Sequence, residues 1–190
     1  MNASVRMPPL DPDTLDAQQR AVAKALTEGP RGGVKGPFIP LLRSPALVEH
    51  VGKLGEYLRF GSALAPRISE LVMVLVAREW TNAFEWAVHV PLALKNGVAR
   101  ATVDAITEGR RPAELPADEA IACAVCDELA RTRGVSDTTY REAVECFGER
   151  GLIDLLAVQG YFAMVCAIMN VAHSEAPTAE GVPPLRGFPI

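Results

Sequence analysis

The sequence predicts a single all-α domain. Helix-start and helix-stop residues recur from end to end, and no alternating polar/apolar run is long enough for a half-buried strand. Two stretches, Leu71 to Ala77 and Leu155 to Ala172, are so apolar that they belong in the interior of a helical bundle. With 190 residues, 49% of them hydrophobic and 22% charged, the chain can bury a core without disulfides or metal.

The elements follow in order. A first helix is expected from about Asp13 to Glu28, and the Gly/Pro-rich stretch Gly29 to Pro40 reads as a loop. Ser44-Pro45 combines an N-cap residue with proline at the first helical position, and that helix should end near Phe60-Gly61. Pro66 opens the next helix. After Thr81-Asn82 another begins and stops at Asn96-Gly97, a pair suited to a left-handed terminus. A short helix near Ala99 to Thr107 and a loop from Gly109 to Pro116 come next. Asp118 and Glu119 then favour the positive end of a helix dipole, and Gly134 closes that helix. Ser136-Asp137 caps a helix through Phe147, Gly151 leads into the buried helix reaching about His173, and the proline-bearing tail from Glu175 to Ile190 should be extended. Residues 1–35 therefore form an N-terminal helical extension and loop, 36–173 the helical domain, and 174–190 the tail. Gly160, Ala163 and Ala167 lie close to one face, which suits either a subunit interface or a tight monomer core.

A net charge of -4 with scattered positive residues leaves no footprint for nucleic acid. The N-terminus shows no basic and apolar leader, so a cytoplasmic location is expected. Cys123, Cys126, Cys146 and Cys166 fall inside apolar helical patterns and read as reduced core residues. Leu155 to Ala172 approaches the length of a membrane span, but Gln159, Gly160 and Asn170 interrupt it and basic flanks are missing. No membrane partner is expected.

The stretch Arg67 to Lys95 carries the chemical signal, because it places two carboxylates and a histidine among apolar residues. Glu70 shares a helix face with Met73, Val74 and Ala77, so its carboxylate must be paired or have a raised pKa. Glu85 and His89, four residues apart, can touch, and Asn82 extends their row. An imidazole beside a carboxylate is suited to proton transfer. Pro91 cannot donate to the carbonyl of Ala87, so the turn around His89 should loosen. Singly, each feature has an ordinary structural explanation: a surface ion pair at spacing four, or a glutamate near a helix start. Together they favour a site with Glu70, Glu85 and His89 as acid/base residues.

Trp86, more readily a core residue, could border a pocket. His50, His89 and His173 are far apart and lack a metal-ligand spacing, so no metal is expected. No P-loop, dinucleotide fingerprint or nucleophile elbow is present, and no cofactor is expected. Cys123 and Cys126 have redox-motif spacing but lie within a helix instead of at the N-terminus that would lower a thiol pKa.

Several stretches resemble the carboxymuconolactone decarboxylase family, which shares an all-α fold with the alkyl hydroperoxidase D (AhpD) proteins. They are Gly36-Pro37-Phe38, Leu41 to Pro45, Gly55 to Phe60, Arg67 to Leu71, Glu85 to His89, Pro91 to Lys95, Val135 to Asp137 and Gly160 to Phe162. The resemblance thus covers most of the chain from residue 36. It implies an AhpD-like helical bundle and a homo-oligomer, commonly a trimer or hexamer, with the site near the subunit contact. In the hydroperoxidase branch the motif is a glutamate, a Cys-x-x-Cys pair and a histidine. Glu70 and His89 match the ends, but Asn82 and Glu85 stand at the cysteine positions, which removes thiol–disulfide chemistry from this site.

The resemblance therefore implies the decarboxylase branch: cofactor-independent loss of carbon dioxide from a small carboxylated lactone, such as 4-carboxymuconolactone, in aromatic-compound catabolism. On that reading His89 donates the proton, Glu85 orients it and Glu70 completes the relay. Arg43, Arg59 and Arg67 are the nearest cationic anchors by sequence, with Asn82 and Trp86 beside the substrate. Two alternatives stay open: an AhpD-like thiol peroxidase, and a non-enzymatic helical oligomer that binds a small metabolite.

Overall fold

A computed structural model describes residues 4–29 and 31–185. Among these residues the chain forms eight α-helices and no strand, the all-α architecture expected. Residues 186–190 of the tail and Pro30 of the first loop lie outside the described residues.

A short 3₁₀ turn at Pro12–Thr14 precedes α1 (Ala17–Glu28), which opens with a reciprocal capping box between Asp16 and Gln19. The segment 29–40, expected as a loop throughout, contains one helical turn, α2 (Phe38–Leu41). Its Phe38, Pro40 and Leu41 are buried, so tertiary burial outweighs the local Gly/Pro content. α3 (Pro45–Phe60) and α4 (Pro66–Glu79) both begin with proline in their first turn, and no side-chain cap forms at Ser44. α5 (Ala83–Lys95) stays helical through Pro91, and α6 spans Arg100–Thr107.

α7 (Ala117–Thr132) is terminated by Arg133 in the left-handed conformation (φ 65°), one residue before the glycine expected to end it. α8 (Asp137–Ala172) is broken at Gly148, whose φ of 69° and ψ of 167° are not helical. The two helices expected here are thus joined at Gly148 without a loop, and the break falls three residues before Gly151.

α4 is the centre of the bundle, packed against α5, α7 and α8. Leu71, Val72, Met73, Val74 and Val76 are at most 1% exposed, and each such side chain contributes about 1.5–3 kcal/mol by leaving water. That apolar anchorage offsets the cost of carrying the polar Glu70 into the interior on the same helix. The segment of α8 apolar enough to cross a membrane is 56% buried within the protein, with Leu155, Val158, Phe162, Val165 and Met169 in the main core. A second apolar cluster gathers Leu71, Val74, Trp86, Val90, Val103 and Ile106, and the tail residues Val182 and Leu185 pack on it.

Candidate active site

Two helices bring the acid/base residues together. α5 starts at Asn82, whose side chain accepts from the Glu85 backbone N–H and so fixes the first turn on which Glu85 stands. One turn on, Glu85 Oε2 lies 3.1 Å from His89 Nε2. From the neighbouring α4, Glu70 Oε2 reaches His89 Nδ1 at 2.7 Å. The imidazole is therefore held between two carboxylates, one on each ring nitrogen. All three residues are buried, at 8% exposure for Glu70, 4% for Glu85 and 3% for His89. The edge of Phe162 on α8 meets the imidazole, with ring centroids 5.0 Å apart and planes at 89°.

Burial by itself would lower the His89 pKa, but the hydrogen bonds and charges of Glu70 and Glu85 outweigh it and raise the pKa to about 9. The folded protein thus holds this proton more tightly than the unfolded chain, where the imidazole titrates near 6.5. The resulting stabilisation, on the order of 3 kcal/mol, is fully present below pH 6.5 and is lost as pH rises through about 9. Thermal melts across that window should show the wild-type transition falling with pH, and His89→Gln should flatten the dependence. A wild-type transition that does not fall there would rule out a charged His89.

Glu85 and His89 open onto a cavity of about 390 Å³. Phe84 and Val88 of α5, Gly55, Arg59 and Phe60 of α3, and Tyr161, Phe162 and Val165 of α8 line it, and the loop before α2 closes one side with Arg31, Lys35 and Gly36. Glu70 lies behind His89, away from the cavity. Gly55 leaves room for Tyr161: a Cβ there would clash with the Tyr161 hydroxyl oxygen, which donates to the Val51 carbonyl at 3.1 Å.

Of the anchors inferred from sequence, only Arg59 lines this cavity. Arg43 is exposed and donates to the carbonyls of Pro8 (2.8 Å) and Ile39 (3.3 Å). Arg67 clamps α4 to α7 through Asp118 (2.6 Å) and Glu119. Asn82 points into the protein and donates to Asn170 (2.8 Å) and the Cys166 carbonyl (3.3 Å). Trp86 is buried in the second cluster and donates from Nε1 to the Pro183 carbonyl at 2.8 Å.

Arg31, Lys35 and the aromatic lining went unnoticed in the sequence; Phe84 and Val88, each one residue before Glu85 and His89, carried the readable signal. Among the described residues no group of three or more His, Cys, Asp and Glu side chains is placed to hold a metal ion. Cys123 and Cys126 line a separate cavity of about 460 Å³ together with Arg78, Arg110 and Arg111.

No family model matches the chain, and no curated protein matches it. Among solved structures it is similar to a protein of unknown function from Agrobacterium tumefaciens that is described as a candidate AhpD antioxidant defence protein. The TM-score is 0.64 at 17% identity, over 73% of this chain and 95% of that one. This likeness, with the eight-helix architecture centred on α4, shows an AhpD-like helical fold.

Proposed function

We propose that the chain is a cofactor-independent acid/base enzyme, a carboxy-lyase acting on a small carboxylated lactone such as 4-carboxymuconolactone. The observation that carries this reading is the buried row Glu70–His89–Glu85 (2.7 and 3.1 Å), whose last two members face the cavity. In the reaction the bond between the ring carbon and the departing carboxylate breaks, carbon dioxide leaves, and the electron pair passes into the conjugated lactone. A proton then adds to carbon, so the net change is uptake of one proton and release of carbon dioxide.

Both nitrogens of His89 are engaged by carboxylates, and on that ground we assign the contact with the substrate to Glu85. The imidazolium proton passes from His89 Nε2 through the Glu85 carboxylate to carbon, and Glu70 holds the imidazole through Nδ1. In this reading Glu85 delivers the proton that the sequence reading gave to His89 directly.

A thiol peroxidase would need a nucleophile in this cavity, and none of the four cysteines lines it. Burial pushes the Cys123 thiol up to about 12 and the Cys126 thiol higher still, so neither is a thiolate at neutral pH. The testing experiment is carbon dioxide release and ultraviolet loss of 4-carboxymuconolactone with purified protein. Wild-type turnover that disappears in His89→Gln is expected; no wild-type turnover would reject this substrate.

A further inference from the structure

The loop before α2 brings an unassigned group of cations to the cavity. Arg31 is half-buried, its guanidinium carbon 4.3 Å from the centroid of Phe38, and it donates to the Gly52 carbonyl at 3.1 Å. Arg59 faces the same space from α3, with its guanidinium carbon 5.1 Å from the centroid of Phe60. Its Nε is buried and has no hydrogen-bond partner. Lys35 stands exposed on the rim.

Among the described residues Arg31, Lys35 and Arg59 form no ion pair within 4.0 Å, although Glu56 and Glu85 line the same cavity. A buried donor without a partner is unfavourable until an acceptor meets it.

We propose that Arg31 and Arg59 form a clamp for the non-reacting carboxylate of the ligand, with Lys35 guiding it from the rim and the ring lying against Phe84 and Phe162. The ligand class is a planar ring monoanion or a larger ring acid that presents one free carboxylate to this end. A guanidinium fork matches a planar carboxylate, and the aromatic walls suit a flat ring. The N-terminal extension is thereby a specificity element, since its loop supplies Arg31 and Lys35. The clamp rests on the lyase reading only for which end of the ligand reacts; binding itself needs no turnover.

The test is isothermal titration of the full-length protein with benzoate and with its neutral counterpart benzamide, for wild type, Arg31→Met and Arg59→Met. Benzoate should bind wild type at least about 10-fold tighter than benzamide, the low end of what one charge-assisted hydrogen bond contributes. Each substitution should remove most of that preference, and added salt should weaken benzoate alone. If Arg59→Met does not fold, Arg31→Met and the salt series decide the matter. Equal binding of the two probes, no benzoate binding up to its solubility limit, or an undiminished preference in the folded variants would overturn the clamp. Benzoate binding without lactone turnover would reject the lyase substrate and keep the clamp, whereas lactone turnover without benzoate preference would do the reverse.

Discussion

Glu85→Gln is expected to lower lactone turnover by about 10²–10⁴-fold, the range over which a positioned acid or base acts. Glutamine preserves size and can still accept from His89 Nε2, so the cavity and α5 should be unchanged. What it removes is a group that can release a proton to carbon and take another from the imidazole. It also removes one of the two carboxylates that raise the His89 pKa, so the alkaline limb of whatever activity remains should move to lower pH. Steady-state rates from about pH 6 to about pH 10, a range that brackets both the ordinary and the raised imidazole pKa, would show both effects. A variant with wild-type turnover would remove Glu85 from the chemistry and return the donor role to His89.

Arg67→Met is expected to cost about 3–5 kcal/mol of stability, the usual consequence of leaving a buried charge without its partner. Glu119 is 1% exposed, its Oε2 already lacks a hydrogen-bond partner, and Arg67 is its one ion-pair partner among the described residues. Arg67 does not line the cavity, so the variant, wherever it remains folded, should bind benzoate as wild type does. Denaturant unfolding and the same titration measure the two halves of this prediction. Adding Glu119→Gln should recover part of the lost stability, because it removes the stranded charge. A small stability loss with impaired ligand binding would restore Arg67 as the substrate anchor suggested by its position in the sequence.

The residues of the acid/base row were legible because their types conflicted with their surroundings. Glu70 falls on an apolar face, and Glu85 and His89 share one at spacing four. Helical periodicity could show the contact within α5; the 2.7 Å contact from α4 depends on how two helices pack, which local spacing does not encode. The arginines illustrate the same boundary. Arg43 and Arg67 are close to the site in sequence but are directed elsewhere by partners in the N-terminal segment and in α7.

Arg31 reaches the cavity from a loop whose course depends on positive φ at Gly32 (63°), Gly33 (138°) and Gly36 (55°). Those glycines announced a turn without its direction. Asn82 precedes Glu85 and His89 at helical spacing, but its oxygen serves the helix start and its amide faces α8, away from the cavity. Helix starts were readable at Pro45, Pro66 and Asn82, whereas α1 begins at the Asp16 cap, a few residues later than expected, after a separate 3₁₀ turn. They failed at α2, where burial of Phe38, Pro40 and Leu41 orders a segment whose composition argues for a loop.

The tail gives the molecule a direction in time. Gly181 accepts from Arg100 at 3.2 Å, Pro183 accepts from Trp86 at 2.8 Å, and Val182 and Leu185 cover the second apolar cluster. These residues leave the ribosome after all eight helices. During synthesis the half of the core around Trp86 must therefore wait, partly uncovered, while the half around α8 can already close.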